Sequence, residues 1–250
     1  MRNYLLFLVL LTTATLHSQN ITDTKGLKQG AWQKNDPNTK ALIYKGQFKD
    51  NKPVGTFTYY FPNKKIQAII IHSVNSPRSS ATFYHETGTV LSKGIYQNMK
   101  KDSIWLSYTP TGTITMSESF KDDLLDGPRI VYYPPALSDN KTLVMASYIN
   151  YSKGLINGAK IEYFETGITK SKANYINNKK NGVCEIYYPS GKVMNQERYK
   201  DGVLHGWSFV KEENGVEINR QYYFHGELLE GKKLEDILKQ YKEKGLNPNN

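Results

Sequence analysis

An all-β fold, an elongated single-layer antiparallel β-meander of 24-residue hairpin repeats closed by a short C-terminal helix, is predicted by three observations on this 250-residue chain. Small residues recur at a fixed step: Gly55, Ser79, Ser103 and Gly127, then Gly158, Gly182 and Gly206, each 24 from the last except for one interval of 31. Five residues after each opening position stands a tyrosine: Tyr60, Tyr84, Tyr108, Tyr132, Tyr163 and Tyr187, with Lys211 in the last unit. A third column, Phe48, Tyr96, Phe120, Tyr151, Tyr175, Tyr199 and Tyr223, closes the second strand in the same phase. Columns that keep phase over most of a chain define a repeat architecture rather than a single site.

The first twenty residues, "MRNYLLFLVLLTTATLHSQN", carry Arg2, an apolar run from Tyr4 to Leu11, and small or polar residues to Ser18. This reads as a secretory signal peptide over 1–18, too short to span a bilayer, with export through the Sec pathway to the periplasm, the outer surface or the medium. The repeat domain then runs over 19–231, and a helix with a short tail over 232–250. Its first unit is "GLKQGAWQK", Gly26 to Lys34, where Gly30 and Trp32 hold the phase approximately.

Within each unit a small residue opens a five- or six-residue strand rich in aromatic and β-branched types, and "P-S-G" or "E-T-G" supplies a turn. The glycines of that turn form a column, Gly88, Gly112, Gly167, Gly191 and Gly215. A second strand ends at the closing aromatic, and "K-D-G", "I-N-N" or "F-H-G" turns the chain back. Roughly eight such units give a sheet on the order of 75 Å long. The seven extra residues between Gly127 and Gly158 fall at "PPALSDNK", and the unit around "IIIHSVNSPRSS" is eroded. After "GELLEG", the stretch "KKLEDILKQYKEKG" places Leu234, Ile237, Leu238 and Tyr241 at helical spacing, with Gly245 as the stop. Such a helix caps the terminal repeat, whose sheet edge would otherwise be open.

The tyrosine column reads first as the source of cohesion, because a sheet with no second layer must pack its own rings or leave them for a partner. The lone Cys184, inside a strand-like run, reads as a small buried filler, so the fold depends on packing without disulfides. The net charge is +10, or +9 once Arg2 departs, a balance that suits anionic partners. Lysines recur at turns, including Lys100, Lys101, Lys179 and Lys180.

With these columns in view, "HGWSFV", "NGVCEIYYPSG", "NGAKIEYFETG" and "DGPRIVYYPP" make the chain resemble the MORN-repeat variant family, and more closely its bacterial YwqK-type antitoxin-like members. The resemblance covers roughly Gly26 to Gly231 and implies scaffolding, protein binding or lipid attachment, with no catalytic residue. Ser79 and Ser103 depart from it by replacing opening glycines.

The chain shows no P-loop, dinucleotide fingerprint, G-x-S-x-G, H-E-x-x-H or C-x-x-C, and its histidines are scattered, so it reads as non-enzymatic, without metal or cofactor. His205 and His225 each precede a glycine in what read as equivalent turns. Nucleic acid is not expected, since export and the alternation of lysine with acid both oppose a phosphate-tracking groove. The leading expectation is a monomeric protein-binding scaffold of the envelope or exterior. The alternatives are an attachment module for anionic lipid or cell-surface polysaccharide, in which Trp105 and Tyr188 stack on sugars or enter headgroups, and an antitoxin or immunity protein. Candidate contact residues are Tyr60, Tyr84, Trp105, Tyr108, Tyr132, Tyr163, Tyr187 and Tyr188, with Lys100, Lys101, Lys179 and Lys180.

Overall fold

The computed structural model describes residues 19–134 and 143–249. The expected signal peptide, 1–18, and nearly all of the "PPALSDNK" turn lie outside the described residues. The rest is one open antiparallel sheet of 20 strands, from Ile21–Thr22 to Glu227–Leu229, followed by the helix Gly231–Glu243. Each strand pairs with its neighbours in sequence, so the topology is a meander.

Each full unit is a nine-residue strand, such as Lys52–Tyr60, Lys100–Tyr108, Leu124–Tyr132 or Leu155–Tyr163, and an eight-residue return such as Ile114–Lys121 or Thr169–Ile176. The opening residue was expected to start the strand. It lies three residues inside it, because the strand begins directly after the preceding turn and the small residue is a bulge. Ser103, Gly127, Gly158, Gly182 and Gly206 all have positive φ, and the pairing slips beside them: Leu125 faces Phe120, whereas Arg129 faces Glu118. A bulge of this kind bends the strand and increases its twist. In the last two units it divides the strand, giving Lys179–Lys180 with Gly182–Tyr187, and Val203–Leu204 with Gly206–Lys211.

The two turns differ. One is a two-residue hairpin with both residues at positive φ, as at Asp50-Asn51, Asp122-Asp123, Asn177-Asn178 and Asp201-Gly202. Positive φ at both positions is the type I′ geometry, whose twist matches the flanking strands. His225-Gly226 is also such a turn, but His205-Gly206 is a bulge, and the buried His205 therefore is not the turn residue that its sequence context suggests. The other turn is a four-residue loop, as in His85 to Gly88, closed by Gly88 N–H to His85 O (2.8 Å) and His85 N–H to Thr89 O (2.9 Å).

The hairpin turns are bonded to one another across units. Asp123 N–H donates to Lys101 O (3.0 Å), Asn178 N–H to Ile156 O (2.9 Å) and Gly202 N–H to Lys180 O (2.9 Å). Where the second turn residue is Asn, its Oδ1 also accepts the returning amide, at 2.7 Å from Lys28 N to Asn51 and from Ile156 N to Asn178. The opposite loops are tied too, by Tyr133 Oη to Tyr163 O (2.7 Å) and Tyr188 Oη to Lys211 O (2.9 Å). The eroded unit lacks the bulge: Ser79 pairs with His72 without a slip, and the His72 Nδ1 and Ser79 Oγ atoms are 2.8 Å apart.

Burial is concentrated on one face, two residues after the opening position of each unit. Phe57, Ala81, Trp105, Cys184 and Ser208 occupy this column and are all buried, as is Ala68 on the same face. The tyrosine column was expected to supply the cohesion. It lies on the opposite face and is half-buried throughout, since Trp105 and Tyr108 are three apart on an alternating strand. The rings that hold the sheet are instead Phe57 against Phe48 (5.1 Å, edge-on) and Trp105 against Tyr96 (4.9 Å, edge-on).

At the C-terminal end, the helix stops in a Schellman motif, with Gly245 left-handed (φ +62°), Gly245 N–H on Lys242 O and Leu246 N–H on Tyr241 O. Leu234, Ile237, Leu238 and Tyr241 are half-buried, and Ile237, Tyr241 and Leu246 line a small hollow together with Phe224. The tail then closes the last units. Tyr222, 1% exposed, donates through its hydroxyl to Pro248 O (2.7 Å), and Asn249 Oδ1 accepts from Trp207 N (3.2 Å).

Candidate functional site

The buried column can be followed along the sheet as a series of stations, each a residue on one strand facing a residue on the strand before it. Trp105 lies across Gly94 so closely that a Cβ there would sit 2.2 Å from the indole, and Phe57 lies across Gly46 in the same way at 2.5 Å. Glycine is required at both returns because a ring occupies the space of the side chain. The Trp105 indole N–H reaches Ile95 O (3.1 Å), and Lys101 Nζ lies 4.6 Å from the centre of the same ring, within cation–π range.

Past Trp105 the column changes chemistry. Its next members are Arg129, Lys160, Cys184 and Ser208. Arg129 Nε bonds to Glu118 Oε1 at 3.0 Å, both side chains being largely covered. Lys160 Nζ lies 3.3 Å from Glu162 Oε1, and Ser171 Oγ donates to Glu162 Oε2 (3.1 Å). Tyr199 donates to Glu197 Oε2 (2.8 Å); burial, then this hydrogen bond and the adjacent carboxylate, hold the phenol in its neutral form well above the usual tyrosine range.

At the Cys184 station the ring is missing from the sequence. Cys184 follows Ala173 by eleven residues, just as Trp105 follows Gly94 and Phe57 follows Gly46. Beside it the sheet carries a hollow of about 320 Å³, whose lining includes Ala173, Cys184, Ile186, Lys160, Lys180 and Asn195. Asn195 Oδ1 is buried and has no hydrogen-bond partner among the described residues. Lys180 occupies the column of Lys101 and lies 4.4 Å from the Tyr199 ring. Burial raises the Cys184 thiol pKa, so it is held as a neutral filler and not as a nucleophile.

The candidate contact residues fall into three groups. Tyr60, Tyr84, Tyr108, Tyr132, Tyr163 and Tyr187 share one face, half-buried. Tyr187 donates to Glu185 Oε2 (2.6 Å), while Lys45 and Lys93 extend over Tyr60 and Tyr108. Trp105 is 4% exposed, so its indole is a core ring and offers no stacking surface, and Tyr188 is anchored through its hydroxyl. The lysines separate. Lys100 and Lys179 are exposed, but Lys101 and Lys180 are half-buried beneath the hairpin turns with their ammonium groups over rings. None of the four lies in a turn; all are in strands that begin beside one.

A stripe not anticipated from the sequence runs along the hairpin-turn border of the tyrosine face. Leu124, Leu155 and Val203, each the first strand residue of its unit, are 50%, 40% and 44% exposed. Ile176, 48% exposed, ends the return strand of the Leu155 unit and pairs with the exposed Lys179 of the next, and Ile104 is 58% exposed. Leu124 leans over Gly154, the turn glycine just before Leu155, whereas Lys179 lies over Gly202, just before Val203. For Leu124, Leu155 and Val203 the signal was present as the first strand residue after the turn, a position that is lysine at Lys52, Lys100 and Lys179. Among the described residues no group of three or more His, Cys, Asp and Glu could hold a metal ion, and no helix is long and apolar enough to cross a membrane.

Two stretches of the chain, residues 80–98 and 180–201, match the MORN repeat variant. Both end on the first residue of a hairpin turn position, Asn98 and Asp201, so they are equivalent windows of the 24-residue unit and support placement among MORN-repeat proteins. No match is found among curated proteins. Among solved structures, a chain of the complex titled "Crystal Structure of TcdB2-TccC3-Cdc42" is similar at 13% identity over 80% of this chain, with a TM-score of 0.16; the present chain spans 15% of that one.

Proposed function

We propose, starting from the MORN-repeat matches, that this chain is a non-catalytic scaffold that binds a protein partner along the hairpin-turn border of its tyrosine face, and that it works outside the cytoplasm. MORN repeats are in general protein- or lipid-binding modules, which fits a binding role. The observation that carries the protein reading is the apolar border formed by Ile104, Leu124, Leu155, Ile176 and Val203, which is interrupted by Lys179 and in which each apolar side chain is left 40–58% exposed among the described residues. Repeated units extend such a line over several turns, and protein partners match extended apolar lines better than small molecules do. An immunity or antitoxin role is a special case in which the partner is a toxin.

Attachment to anionic lipid or polysaccharide is the competing reading. It draws on the net charge, but Lys101 and Lys180 are committed to rings and Lys100 faces Asp122 at 4.0 Å, which leaves fewer cations for a polyanion. The deciding experiment is a capture from envelope and culture-supernatant fractions with residues 19–250, run in parallel at low and high salt. A stoichiometric protein retained at high salt and lost with Leu124→Asp/Leu155→Asp supports the scaffold. Recovery only at low salt, of lipid or polysaccharide alone, would sink it, because screening removes surface electrostatics and leaves apolar burial in place.

A further inference from the structure

We propose that the hollow at Ala173 and Cys184 receives an aromatic side chain with a hydrogen-bond donor, a tryptophan before all others, presented by the protein partner. This rests on the scaffold reading and adds a second, specific contact on the opposite face of the sheet.

The chain itself supplies the template. At two other stations of the same column a ring, Phe57 or Trp105, lies flat against the return strand, and both returns carry glycine there. At the Cys184 station the backbone pairing is the same, Cys184 facing Glu197 as Trp105 faces Glu118, but the side chains are small and a hollow of about 320 Å³ remains. That volume is at the low end of ligand pockets, which run from roughly 300 to 1,000 Å³, and suits one large side chain. Ala173 adds a methyl where Gly94 has none, so an incoming ring rests on that methyl and further from the strand than Trp105 does.

Of the groups that Trp105 uses, the lysine recurs at the hollow. Lys101 covers both Trp105 and Phe120, at 4.6 and 4.8 Å. Lys180, its counterpart, covers Tyr199, the counterpart of Phe120, and at this station has no tryptophan beneath it. The Trp105 N–H is taken by Ile95 O. The equivalent carbonyl, Asn174 O, accepts from Asn181 N (2.8 Å), the counterpart of the Ile95–Asp102 pair, and the nearby Asn195 Oδ1 is a buried acceptor with no partner among the described residues. Because Asn195 Oδ1 is closed to solvent, its side chain turns toward the hollow to accept the donor, and an indole brings both the ring and that donor. Leucine or phenylalanine would bring no donor.

The test is a titration of residues 19–250 with N-acetyl-tryptophanamide, followed by amide chemical shifts. The expected result is saturable shifts at Ala173, Cys184 and Asn195, with a dissociation constant on the order of 1 mM for so small a probe, and weaker ones for N-acetyl-leucinamide. Lys180→Ala and Asn195→Ala should each weaken binding by about threefold or more. Cys184→Trp combined with Ala173→Gly copies the Gly94 and Trp105 pair into the hollow and should abolish it. Shifts that stay linear, shifts undiminished in the filled variant or in both single variants, or equal shifts with an uncharged disaccharide would each overturn the proposal. The single variants retain the test if the filled variant fails to fold. A partner captured equally by wild type and filled variant overturns this contact and leaves the scaffold reading intact; no capture by either removes both.

Discussion

The Gly94–Trp105 station and the Ala173–Cys184 station occupy the same column of the same repeat, and the backbone around them is nearly superimposable in its pairing. Trp105 faces Glu118 and Cys184 faces Glu197, each beside a bulge, at Ser103 and Gly182, and each after a lysine at the turn. One station is filled by an indole that forces glycine onto its neighbour; the other has a thiol and a hollow. The sheet therefore does not need a ring in every unit. Its continuity comes from the backbone pairing of each strand with the next, extended at the border by hydrogen bonds from hairpin turn to hairpin turn, and the side chains of the column are free to differ.

The largest test of this contrast is truncation at the two stations. Trp105→Ala should cost about 3–5 kcal/mol in chemical denaturation, as large aromatic deletions in a packed site do. Cys184→Ala should cost under about 1 kcal/mol, because little packing is lost; equal costs would mean that the hollow is not a real difference. Next comes the floor. Gly94→Ala places a methyl inside the indole and should destabilise by about 1–3 kcal/mol, whereas Ala173→Gly should change stability by less than about 1 kcal/mol. Smaller still, Ser103 holds a positive φ of 61° that other units assign to glycine, and Ser103→Gly should raise stability by about 1 kcal/mol, read as a shift in the denaturation midpoint.

The last effect is absent at neutral pH. Burial, aided by the bond to Glu185, pushes the Tyr187 phenol up to about 12, and burial does the same for Tyr222. In the unfolded chain these groups ionise near the ordinary tyrosine value of about 10. Since the folded value is raised, the contribution is fully present below pH 10 and is lost as pH rises from 10 through 12. The melting temperature should hold on the way to pH 10 and fall beyond it, with the fall reduced in Tyr187→Phe. A fall that is unchanged by that substitution would place the sensitive tyrosines elsewhere.

How much of this was legible in the sequence depended on whether a feature is local. The period, the two turns, the C-terminal helix and its Gly245 stop are matters of residue type at fixed offsets, and these were read correctly. The strand start was not, because a small residue at positive φ opens a turn or sits in a bulge with equal ease, and only cross-strand pairing separates Gly206 from Gly226. The choice of core face failed for a related reason. Alternation puts Trp105 and Tyr108 on opposite sides of a strand but cannot say which side is covered when no second layer exists. The decisive clue was elsewhere in the chain, in "KGQF" and "KGIY", where Gly46 and Gly94 each stand eleven residues before a large ring. The hollow was hidden for the same reason, since it is defined by the ring that Cys184 is not.

The turn-to-turn bonds also set how the molecule answers to force. The two ends of the sheet lie at opposite ends of the stack, so tension between them pulls hairpins apart one after another, and each turn's hydrogen bonds are loaded in sequence instead of together. A released unit of 24 residues adds up to roughly 80 Å of extended chain. Stretched between a partner and an anchor, the chain would lengthen in even steps at low force, giving way repeat by repeat and leaving the remaining sheet to hold.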